Sequence, residues 1–173
     1  MNTKTFEIEK KGLISILTNR GIWWKDFLIK DIIKNNPEKK FLIWQELDRY
    51  QDCPRIKRHC NDNMKKMLDE YSFDVLVIDY FSEWANTAEN IEFIKHITTD
   101  EKYKDKTFII FFTSNIDDRE KEVNIADFQI YENVIKNNSA EIFCFNKPVY
   151  DEYKLQDKDG NMICFLKEKK DDI

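Results

Sequence analysis

A chain of 173 residues is the size of one domain, and long enough to bury a core without disulfides or a metal. Its 28 Lys and Arg are interleaved with 33 Asp and Glu for a net charge of −5, which excludes a whole-chain basic footprint for non-specific nucleic-acid binding. Only 3 glycines and 3 prolines beside 14% aromatic residues exclude a disordered or low-complexity chain.

The opening stretch, MNTKTFEIEKKG, is charged and lacks the apolar region of a secretory signal. The longest apolar runs are of strand length, too short to span a bilayer. A cytoplasmic protein is expected. GLISILT (12–18) reads as a buried strand. Lys25 to Asn35 places Leu28, Ile29, Ile32 and Ile33 on one helical face, and NNP stops the helix. KKFLIWQE (39–46) is a second buried strand. From Arg55 to Tyr71, Met64, Met67, Leu68 and Tyr71 recur at helical spacing, so a helix is predicted there. FDVLVIDYF (73–81) is the strongest strand signal of the chain. Trp84, Ala88, Ile91, Ile94 and Ile97 mark another amphipathic helix, and KTFIIFFTSN (106–115) a further strand. Phe128, Tyr131, Val134 and Ile135 mark a helix ending at KNNS, followed by the strand AEIFCFN (140–146). Last, YDEYKLQ and NMICFLKEK flank DKDG, whose Asp-Gly signals a hairpin turn.

Strands alternating with helices call for an α/β domain: a mostly parallel sheet covered on both faces, with the hairpin adding antiparallel strands. No linker, repeat or low-complexity segment interrupts it, so residues 1–173 are expected to form a single domain. Cys53, Cys60, Cys144 and Cys164 form no CxxC pair and read as reduced core cysteines. Cys53, His59 and Cys60 lie near one another in sequence, but a zinc site there lacks a fourth ligand.

Ligands of parallel α/β sheets bind at the carboxyl ends of the strands. Glu46 follows FLIWQ, Asp79 ends VLVID, Ser114 and Asn115 follow FIIFFT, and the loop NRGIWWKD follows the first strand. These positions are expected to converge on one edge of the sheet. Read in order, the segments resemble the RecA-fold ATPase domain of DnaB-type replicative helicases. In that family a strand leads to a phosphate loop, A-R-P-x-M-G-K-T, and NRGIWWKD keeps Arg20 and Lys25 in register. The resemblance puts a catalytic glutamate at Glu46 in FLIWQELD and the Walker B acid at Asp79 in VLVIDYF. FFTSNIDDR looks like the family's S-Q-L-N-R, with Asn115 at the sensor position. ADFQIYENVI and AEIFCFNKP look like weakened copies of the next two family segments. LKEKKDD sets Lys167 and Lys169 where the family has a lysine and an arginine finger. The resemblance implies a RecA-like (P-loop NTPase-like) three-layer fold.

The departures matter as much. Trp24 stands where the last loop glycine would let backbone N–H groups close around phosphates. Asp26 replaces the Ser or Thr whose hydroxyl would meet Mg²⁺, and its carboxylate would repel phosphate. Lys169 lacks the planar fork of an arginine finger. The stretch between Glu46 and Asp79 is much shorter than the family's. Arg20, Lys25 and Asp26 thus mark a degenerate phosphate loop, for which a first-turn, solvated Lys25 is the simpler expectation. Asp79 would hold Mg²⁺ through water, or be a strand-end acid capping the next turn. Trp23 and Trp24 pack into the core, or form a stacking platform or partner hot spot. Lys167, Lys169 and Lys170 read first as a mixed, solvated tail.

The reading that follows is a pseudo-ATPase without a cofactor, serving as a protein-interaction module in DNA replication or recombination. Its expected partner is a replication or recombination protein, or a second copy. Nucleic-acid contact lacks a strong basic patch, and no membrane is involved. The alternative is a minimal ATPase using ATP and Mg²⁺ through Lys25, Glu46 and Asp79, with Asn115 as sensor.

Overall fold

A computed structural model of the chain describes residues 6–19, 25–44, 55–58, 68–82, 87–114, 122–149 and 152–167. Their strands are β1 (Gly12–Thr18), β2 (Phe41–Trp44), β3 (Arg55–Arg58), β4 (Val75–Ser82), β5 (Thr107–Thr113), β6 (Ser139–Val149), β7 (Glu152–Asp157) and β8 (Met162–Lys167). The helices are α1 (Lys25–Asn35), α2 (Thr87–Thr99) and α3 (Glu132–Asn138). The strands form one eight-stranded sheet in the order β3-β2-β4-β5-β1-β6-β7-β8. Neighbours from β3 to β6 are parallel, and β6-β7-β8 are antiparallel.

Handedness decides which face each helix covers. From β1 the chain crosses toward the β3 edge, and α1 lies on one face, with Leu28, Ile29, Ile32 and Ile33 packed on Ile14, Ile16, Val77 and Phe111. The connections β4 to β5 and β5 to β6 run the other way, so α2 and α3 lie on the opposite face. There Phe93, Ile94, Ile97, Val134 and Ile135 meet Leu17, Ile78, Phe108, Ile110 and Phe112. This is what right-handed crossovers require, and it gives three layers with two cores.

Along β1, β4 and β5 successive side chains enter alternate cores. Burial on both faces is why these strands read as unbroken apolar runs. Helix α1 has Asp26 in its first turn and Lys34 in its last, matching its dipole, and it stops just before Asn36-Pro37. Asn36, itself buried, accepts from the Ile8 N–H at 3.1 Å and donates to the Phe6 carbonyl at 3.4 Å. It thereby ties residues 6–8 to the end of α1.

The helix predicted from Arg55 to Tyr71 needs correction. Arg55–Arg58 form a strand paired in register with Phe41–Trp44, and helical residues appear at 68–70. The hydrogen-bonding edge of β2 took a segment whose own apolar pattern does not fix its conformation. The tail hairpin forms as expected: Gly160 takes φ 83° in the turn between β7 and β8.

Candidate functional site at the carboxyl edge of the sheet

Strands β1 and β5 are neighbours whose outgoing connections leave on opposite faces, which opens a crevice outside their carboxyl ends. Strand alternation places Thr18, Asp79 and Thr113 on the α1 side, in phase with Ile16, Val77 and Phe111. Strand β4 adds a local device. Its register with β5 shifts between Ile78 and Phe81, so Asp79 and Tyr80 together stand opposite Phe111. Such a β-bulge bends the strand and re-aims the side chain at the crevice.

Lys25, the first residue of α1, reaches into this crevice. Its Nζ donates to the Asp79 main-chain carbonyl at 2.6 Å and lies 3.1 Å from the Asp79 carboxylate Oδ1. Lys25 is 1% exposed and Asp79 5%. The expectation of a solvated first-turn lysine is overturned. Helix α1 packs so closely on the sheet that its first side chain has nowhere to go but across the strand ends. A lone ammonium or carboxylate at this depth would be strongly disfavoured, so each is the other's condition for staying charged.

The surroundings are polar and buried. Thr18, Asn19, Thr113 and Ser114 are buried, and the Ser114 N–H donates to the Thr18 carbonyl at 3.0 Å, locking the two strand exits together. The Thr18 hydroxyl donates to the Asn19 carbonyl at 3.4 Å. Among the described residues, neither Asp79 Oδ1 nor Thr113 Oγ1 has a hydrogen-bond partner, although Oδ1 stays at ion-pair distance from Lys25. Thr18, Asn19 and Thr113 escaped the sequence reading. The signal was present in ILTN and FFTS, where a polar pair ends an apolar run.

Of the residues singled out from sequence, the fold brings Lys25, Asp79 and Ser114 to one edge. Asp26 is half-buried in the first turn of α1. Arg20, Trp23, Trp24, Glu46, Asn115 and Lys169 lie outside the described residues. Lys167 ends β8, which runs parallel to β1 but is separated from it by β6 and β7. At roughly 4.8 Å per strand that is about 14 Å away, so within one chain Lys167 is no neighbour of the Lys25–Asp79 pair. Cys144 offers no nucleophile: burial, helped by Asp127, Glu122 and Asp157, pushes its thiol up to about 11. Among the described residues no cluster of His, Cys, Asp and Glu has the makings of a metal site. None of the described helices is long and apolar enough to cross a membrane.

The chain is similar in structure to a solved domain described as the ATPase domain of a DnaB-like helicase, with TM-score 0.62 and 8% sequence identity. The match covers 97% of this chain and 93% of that one. The fold is therefore RecA-like (P-loop NTPase-like): a mostly parallel sheet between helical layers, closed by a C-terminal antiparallel hairpin. No protein-family model and no curated protein matches the chain.

Proposed function

We propose that this protein is a RecA-fold pseudo-ATPase, a helicase-like scaffold that serves as a protein-interaction module in DNA replication or recombination. The observation that carries the non-catalytic part is the engagement of Lys25. The cation that would meet a phosphate is bound to a main-chain carbonyl and a carboxylate of its own chain, at 2.6 and 3.1 Å. The same contact uses the acid that would meet Mg²⁺. In this arrangement the residues do not fit a nucleotide with its metal, and no catalytic step is derived through them. Asp26 adds negative charge in the first helical turn, and Trp24 supplies bulk where a phosphate loop needs glycine. The interaction role rests on the resemblance to replicative helicase domains and on the adjacent Trp23 and Trp24.

One observation favours the alternative, a minimal ATPase using Lys25, Glu46 and Asp79. Asp79 Oδ1 and Thr113 Oγ1 are buried at the carboxyl edge without a hydrogen-bond donor among the described residues, a pairing that a ligand could complete. Calorimetric titration of the purified chain with a non-hydrolysable ATP analogue and Mg²⁺ separates the two. The pseudo-ATPase gives no saturable heat at millimolar nucleotide. Saturable binding, with phosphate release from ATP, would establish the enzyme instead.

A further inference from the structure

The sheet has two outer strands of contrary character. Strand β3 is RIKR, in which Arg55, Lys57 and Arg58 are cationic. Strand β8 is MICFLK, apolar up to its last residue. Charges on an outer strand discourage unwanted pairing, and β8 has none before Lys167. Met162, at its start, is 50% exposed. It borders a groove of about 250 Å³ floored by Phe6, Phe143 and Ile163 and rimmed by Glu7, Glu9 and Glu141. Asp157 and Asp159 stand in the adjoining turn. Lys10 pairs with Glu141 at 3.4 Å and Lys158 lies in the same turn, so acids still outnumber bases here.

We infer that β8 and its acidic groove receive the β3 edge of a second copy of this chain, extending the sheet from one molecule to the next. Charge selects this pairing over the others. Joining β3 to β3 sets cation against cation, and joining β8 to β8 brings the glutamate rims together. Only β3 on β8 sets the cationic RIKR strand beside Glu7, Glu9 and Glu141. The contact is head-to-tail, so it propagates into chains rather than closing as a dimer. Backbone hydrogen bonds supply the affinity, and the exposed Met162 is covered by the incoming strand. The Lys25–Asp79 pair takes no part, so the inference stands apart from the reading of nucleotide binding.

Sedimentation velocity of the full chain tests it. The wild type forms concentration-dependent oligomers that weaken by about tenfold in apparent affinity from low to moderate salt, as screened charges require. Glu7→Lys/Glu9→Lys and Arg55→Glu/Arg58→Glu each abolish association, and mixing the two restores it, because each reversed edge now suits the other. Circular dichroism confirms that each variant is folded. Met162→Lys, confined to the exposed rim, also reduces association and serves if a double variant fails to fold. A wild type that stays monomeric at all concentrations overturns the inference. So does association unaffected by the β3 reversal, the signature of β8 pairing with itself, and so does failure of the mixture to reassociate.

Discussion

The middle of the sheet and its C-terminal hairpin are built on opposite principles. In β1, β4 and β5 nearly every described side chain is buried, and pairing is wholly non-local, joining Gly12–Thr18 to Thr107–Thr113 and then to Val75–Ser82. In β7 and β8 pairing is with the next strand in sequence, and order depends on a four-residue turn around Gly160. The difference governs where polar groups can be kept. The middle tolerates a lysine and an aspartate only as a matched pair, whereas the hairpin keeps its charges in solvent and spends them on shaping the turn.

Breaking the pair should have the largest effect. Lys25→Met leaves the buried Asp79 carboxylate without its cation and should cost roughly 3–5 kcal/mol in urea unfolding. The double variant Lys25→Met/Asp79→Asn should recover most of that loss. Equal losses in single and double variants would show that Lys25 stabilises by packing alone. Truncating the same region's core, as in Phe111→Ala, should cost about 3–5 kcal/mol, against well under half of that for the half-buried Ile163→Ala on β8. Similar values for both would erase the contrast.

A smaller effect is expected in the turn. Gly160→Ala must hold a φ of 83°, which L residues avoid, and should cost about 1 kcal/mol, seen as faster amide exchange confined to β7 and β8. The smallest effect is a pH dependence of opposite sign in the two regions. The side chain and backbone N–H of Asn161, with the N–H of Asp159, hold the Asp157 carboxyl below its usual 3.8. A lowered folded value means that its contribution is present above 3.8 and lost as pH falls through the lowered value. Burial raises Asp31 on α1 above 3.8, partly offset by Asn35 and Lys34. What Asp31 contributes is therefore full below 3.8 and lost as pH rises through the raised value. Amide exchange followed on acidification should loosen the hairpin before α1. Simultaneous loosening would contradict these local causes.

The apolar runs 12–18, 75–81 and 107–113 were legible because a strand buried on both faces has no polar positions to blur its pattern. Helix α1 was legible from Lys25 to Asn35 for a similar reason, with its apolar face fixed at 3.6-residue spacing and its end set by Pro37. The Asp-Gly turn was readable because the backbone conformation at Gly160 is a local matter. Arg55–Arg58 were not, since four residues with one apolar side chain carry no period, and only the vacant edge of β2 made them a strand.

The candidate site divides in the same way. Sequence by itself determined that Lys25 and Asp79 fall at the ends of apolar segments, and hence at one edge of a parallel sheet. Tertiary structure alone decided that they meet. The strand order puts β5 between β1 and β4, the bulge at Asp79 turns its carboxylate, and the close packing of α1 drives Lys25 inward to a main-chain carbonyl 54 residues away. Burial and charge pairing are properties of where chain segments are brought together, and no local pattern records them.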